Sequence, residues 1–147
     1  MIEFTMSKSL LAGWQVLVVD DELDSTQVVQ TLLKMCGAEV LVANNGPAGY
    51  DLALQHRPRF IISDLSMPEM TGWQLLERLK KTLATRDIPV IALTAHAKLT
   101  DRERAFGAGF HNYLAKPLRP ETFVSELLNL LLDIPSIKEA LLHKSED

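Results

Sequence analysis

The sequence predicts an α/β protein of (βα)5 type, in which five strands and five helices alternate to give a doubly wound parallel sheet with helices on both faces. Three observations predict it. Short β-branched apolar runs recur along the chain, amphipathic helical segments separate them, and 147 residues suit one compact domain with short flanks.

Each element has its own justification. Val16-Leu17-Val18-Val19 is β-branched and bracketed by polar residues, as a buried parallel strand requires. The following segment, 25–36, puts Val28, Val29, Leu32, Leu33 and Cys36 on one helical face. Asp24 or Ser25 is placed to cap its start, and Gly37 to end it. Val40-Leu41-Val42-Ala43 reads as the second strand and 46–57 as its helix. Phe60-Ile61-Ile62 leads to a helix over 71–83, and Val90-Ile91-Ala92-Leu93 to one over 100–108. Tyr113-Leu114-Ala115 is a weaker fifth strand before a helix over 121–133. Such units join by right-handed crossovers, and their ligand sites lie beyond the carboxyl ends of the strands. The expected organisation is a lead at 1–13, the domain at 14–133 and an extension at 134–147. There, Ile137, Ala140 and Leu141 sit at helical spacing in a segment too short to be stable alone.

Composition narrows the function. Hydrophobic residues at 47% and charged residues at 23% argue against a disordered or fibrous chain. Fifteen Lys and Arg against nineteen Asp and Glu give a net charge of -4, without the basic excess that nucleic-acid backbones demand, so no nucleic acid is expected as a partner. The single cysteine, Cys36, has no partner for an internal disulfide and falls on the apolar face of the first helix, so a core role in a reducing cytoplasm is expected. No window reaches the ~18 apolar residues of a membrane span, and no signal peptide is expected.

The strand ends carry the chemistry. In order they hold Asp20 and Asp21, Asn44, Asp64, Thr94 and Lys116. Alone, the aspartate pair reads as a helix cap, Thr94 as an ordinary strand end and Lys116 as a solvated cation. Together they converge three carboxylates, whose mutual repulsion a divalent cation relieves. Oxygen-only ligands favour Mg²⁺, with Mn²⁺ as a substitute, and the histidines (56, 96, 111 and 143) lack ligand spacing. Beside a metal, Asp64 is a candidate nucleophile toward a phosphoryl group, with Lys116 and the Thr94 hydroxyl neutralising the equatorial oxygens.

These residues resemble the receiver domain of two-component response regulators. The resemblance runs from about Gln15 to Asp133 and rests on Val18-Val19-Asp20-Asp21-Glu22, Ser63-Asp64-Leu65-Ser66-Met67-Pro68 with Gly72, Leu93-Thr94-Ala95, and Tyr113-Leu114-Ala115-Lys116-Pro117-Leu118. It implies a flavodoxin-like sandwich whose five-stranded parallel sheet has the order 2-1-3-4-5. It implies that Asp64 accepts a phosphoryl group from a histidine kinase or histidine phosphotransfer protein. Asp20, Asp21, Asp64 and the Ser66 carbonyl would hold Mg²⁺, and Lys116 would pair with Asp64 and the phosphoryl oxygens. Thr94 and Tyr113 would act as the switch, reshaping the surface of the fourth helix, fifth strand and fifth helix. A cis peptide at Lys116-Pro117 is also implied. Ser66 and His96 stand where the family varies residues that tune acyl-phosphate lifetime, although His96 by itself reads as an exposed loop side chain.

The expectation is therefore a stand-alone receiver, a signalling switch rather than an enzyme, which catalyses its own phosphorylation and dephosphorylation and acts on a downstream protein. A phosphohydrolase would want a second acid shortly after Asp64, where Ser66 stands two residues on. A flavin protein would want a Gly-, Ser- or Thr-rich phosphate loop where this chain has Asp20-Asp21-Glu22-Leu23-Asp24. The fifth helix spreads Phe123, Val124, Leu127, Leu128, Leu130, Leu131 and Leu132 over about 200° at ~100° per residue. Two explanations stay open: the C-terminal segment with Ile137, Leu141 and Leu142 folds back over it, or the face is a homodimer or partner surface.

Overall fold

The computed structural model describes residues 10–95 and 99–146, so the reading of His96 lies outside the described residues. The elements alternate as β1 (Gln15–Val19), α1 (Leu23–Met35), β2 (Glu39–Ala43), α2 (Gly46–His56), β3 (Phe60–Asp64), α3 (Gly72–Lys81), β4 (Val90–Thr94), α4 (Leu99–Ala108), β5 (Asn112–Ala115), α5 (Pro120–Leu132) and α6 (Pro135–Glu146). All strand pairs are parallel and the order is 2-1-3-4-5. The predicted fold class is the one observed.

Alternation along the strands builds two apolar layers. Val16, Val18, Phe60, Ile62, Ile91, Leu93 and Leu114 face α1 and α5, while Leu17, Val19, Ile61, Val90 and Ala92 face α2, α3 and α4. The central strands β3 and β4 are buried along their whole length. At the sheet edge, β2 is different: Val42 is 38% exposed, because only β1 flanks that strand. The uniform burial expected of its apolar run therefore fails at the edge.

Local chemistry sets the helix ends. For α1 the expected caps, Asp24 and Ser25, lie inside the helix; Glu22 is the N-cap residue, and its side chain makes no capping bond to the helix. Its C-terminus follows expectation, since Gly37 at φ 92 sends its N–H to the Lys34 carbonyl and Ala38 sends its own to Leu33. Cys36 is fully buried, whereas Val28 is 36% exposed and stands outside the packed face. Thr71 and Gln74 form a reciprocal capping box at the start of α3. The peptide Lys116-Pro117 is cis.

The C-terminal helix packs rather than trails. Ile134, Ile137 and Leu141 are buried in the same cluster as Phe123, Leu127 and Leu131 of α5, while Leu142 stays outside at 54% exposure. The wide apolar arc of α5 thus has a partner within the chain. Among the described residues, no helix is long and apolar enough to cross a membrane.

Candidate functional site

Four strand ends meet at one edge of the sheet, and backbone bonds fix their positions. The Asp20 N–H donates to the Ala43 carbonyl at 3.1 Å, the Leu65 N–H to Leu93 at 3.2 Å and the Lys116 N–H to Thr94 at 2.8 Å. The residues that emerge there therefore have little freedom. Gly72 adds a close approach, because a Cβ at that position would collide with the Asp64 carbonyl oxygen and lie 2.9 Å from Leu65 Cα. Only glycine lets the start of α3 rest against the end of β3.

The acids gather as expected. Carboxylate oxygens of Asp20, Asp21 and Asp64 lie within 4.8 Å of one another, with Asp20 and Asp64 buried and Asp21 exposed. Lys116 reaches into them with its Nζ 3.2 Å from Asp64 Oδ2 and 3.1 Å from Asp20 Oδ2. The Ser66 N–H donates to Asp64 Oδ1 at 3.1 Å, which fixes the carboxylate's orientation. Thr94 is buried at the end of β4, in register with Ala115. Tyr113 lies two residues before Ala115 on the same face of β5, half-buried against the layer that α2, α3 and α4 cover. Asn44 stays at the surface, its Oδ1 accepting from Asn45 Nδ2 at 2.9 Å.

Electrostatics mark the cluster as charge-frustrated. Burial pushes the Asp20 carboxyl up to about 6, and the Asp64 charge adds to this; the Glu22 N–H and Lys116 oppose it. Its enclosed Oδ2 faces the Lys116 charge but makes no hydrogen bond. Burial alone would lower the Lys116 pKa, but Glu22, Asp20 and Asp64 outweigh it and hold the ammonium above its ordinary range. Three converging carboxylates and an unsatisfied buried oxygen are a donor set that fits a hard divalent cation. Glu22 is the residue the sequence reading left without a role. Its Oε1 lies 2.6 Å from Lys116 Nζ, the shortest of the lysine's carboxylate contacts. The only sequence signal was a third acid directly after Asp20-Asp21.

Known proteins share this fold. The family model for the response regulator receiver domain matches residues 16–128. The chain is 33% identical to the DNA-binding dual master transcriptional regulator RpaA of Synechocystis over 88% of its own length and 54% of that protein's. It is 31% identical to the Vibrio cholerae chemotaxis protein CheY4, with a TM-score of 0.75, covering 82% of this chain and 100% of that one. The receiver domain of the Pseudomonas aeruginosa sensor histidine kinase PA1611, solved with magnesium in its active-site cleft, is 30% identical with a TM-score of 0.73, covering 84% of this chain and 98% of that one. The chain spans 48 to 60% of the length of the transcriptional regulators it matches and 95 to 96% of its shorter relatives. On the match of family model and fold, the chain belongs to the response regulator receiver domains of two-component systems.

Proposed function

We propose that the chain is a phospho-accepting switch. A phosphoryl group passes from a phosphohistidine of a sensor kinase or phosphotransfer protein to Asp64. An Asp64 carboxylate oxygen attacks phosphorus, the bond to the histidine nitrogen breaks, and the imidazole leaves with the electron pair. The observation that carries this reading is the buried Asp64 carboxylate, held by the Ser66 N–H at 3.1 Å and faced by Lys116 at 3.2 Å, inside a three-acid cluster.

The remaining residues take roles around it. Asp20, Asp21, Asp64 and the Ser66 carbonyl would hold Mg²⁺, which when bound supplies positive charge to the phosphoryl oxygens. Lys116 balances the developing charge from the other side, and the Thr94 hydroxyl turns toward the phosphoryl group. Tyr113 then moves inward and reshapes the face of α4, β5 and α5, which meets the downstream protein. That output is a population shift: phosphorylation must favour the active surface by a few kcal/mol to change its occupancy decisively. The chain also catalyses its own phosphorylation from small donors and its dephosphorylation.

Intact-mass spectrometry tests this. Incubation with acetyl phosphate should add ~80 Da, the mass of one phosphoryl group on a carboxylate nucleophile, only when Mg²⁺ is present and not in Asp64→Asn. If neither protein gains mass, with rapid hydrolysis separately excluded, the chain is a scaffold that keeps the receiver fold without its chemistry.

A further inference from the structure

We infer that Glu22 is a positioning residue for Lys116: it holds the ammonium while the site rests and must release it when a phosphoryl group arrives. The inference deepens the phospho-accepting reading and rests on it. An ammonium offers three donors and no acceptor. In the resting site three carboxylates surround it, Glu22 at 2.6 Å, Asp20 at 3.1 Å and Asp64 at 3.2 Å. A phosphoryl group brings further oxygens, so one carboxylate contact has to break.

The surroundings of each acid decide which one yields. Asp20 and Asp64 are buried, and each has Oδ1 pinned by a backbone N–H, from Glu22 and Ser66 respectively. Freeing either would strand a buried charge. The Glu22 side chain is 61% exposed, and its long, flexible carboxylate regains water when it lets go. Its backbone N–H is bonded to Asp20, and its side chain reaches into the site through Lys116. Glu22 therefore competes with the phosphoryl group for Lys116, and its removal should speed phosphorylation.

The test uses the full chain with acetyl phosphate at saturating Mg²⁺, comparing wild type with Glu22→Gln and Glu22→Asp by intact mass over time. In this reaction the Asp64–phosphorus bond forms as acetate leaves with its electron pair. Glu22→Asp keeps the charge but is one methylene too short for the contact, so it separates contact from local charge. A second readout needs neither donor nor metal: reductive methylation of Lys116 relative to the exposed Lys138, followed by peptide mass spectrometry. Both variants should phosphorylate faster, by up to about fivefold, as expected for loss of an exposed ion pair. Lys116 should also be methylated faster, with Lys138 unchanged. Slower phosphorylation in both variants, a faster rate in Glu22→Gln alone, or unchanged Lys116 methylation would overturn the inference. A wild type that gains no mass overturns the phospho-accepting reading and this inference with it; normal phosphorylation with unaltered Lys116 methylation overturns only the role of Glu22.

Discussion

At the end of β1, the enclosed Asp20 carboxyl shows how one residue couples pH to the whole site. Its pKa near 6 exceeds the ordinary 3.8, so between those values the folded chain keeps a proton that the unfolded chain has lost. This group's contribution to the stability of the metal-free protein therefore falls as pH rises through about 4 to 6, by up to ~3 kcal/mol. Asp20→Asn should raise the metal-free melting temperature at pH 7.5, and equal melting of variant and wild type would show that the ionised carboxylate costs nothing. Mg²⁺ reverses the sign, because it takes the ionised form: affinity measured by calorimetry should fall about tenfold per pH unit below pH 6. Gly72 is the other decisive single residue. Gly72→Ala should lose about 3 kcal/mol in urea unfolding, since the new methyl group meets Asp64 and Leu65 backbone that cannot move away cheaply. Of the site residues, Asp20, Asp64 and Lys116 were legible because each follows a recognisable apolar run. The contact between Glu22 and Lys116 was not, because 94 residues separate them and neither local pattern points to the other.

Among the elements, α6 explains the excess of apolar positions on α5. Its Ile137 and Leu141 are buried beside Phe123, Leu127 and Leu131, so a helix too short for independent stability is held by packing. Ile137→Ala and Leu141→Ala should each cost about 2 to 4 kcal/mol by chemical denaturation. Losses near zero would mean that α6 does not hold to the core in solution. The strand ends were predicted to within two residues, and β2 shows the limit of such reading. A β-branched run states that a segment is extended, but its place at the sheet edge, which leaves Val42 exposed, depends on where the other strands lie.

Across the whole molecule, β1, β3, β4 and β5 deliver the acids, the hydroxyl and the lysine to one end of the sheet, and the metal site is therefore coupled to global stability. A cation that binds only the folded chain should stabilise it by ~2.7 kcal/mol at a hundred times its dissociation constant. A thermal shift with Mg²⁺ should appear in wild type and shrink strongly in Asp20→Asn and Asp64→Asn. An equal shift in all three proteins would locate the bound metal elsewhere. Sedimentation with and without a phosphoryl mimic addresses the α5 face. Because α6 already covers much of it, the expected result is a monomer in both states, and a dimer that forms only with the mimic would assign that face to a second copy.

By itself the sequence determined the alternation of strands and helices, the parallel sheet and the identity of the residues at its carboxyl edge, because hydrophobic period and turn chemistry act over a few residues. The tertiary structure decided the rest. It buried Asp20 beside Asp64, enclosed Lys116 among three acids, placed Gly72 against the Asp64 carbonyl and laid α6 over α5. Charge–charge energy, desolvation and packing depend on distances between segments far apart in the chain, and those distances exist only once the sheet has formed.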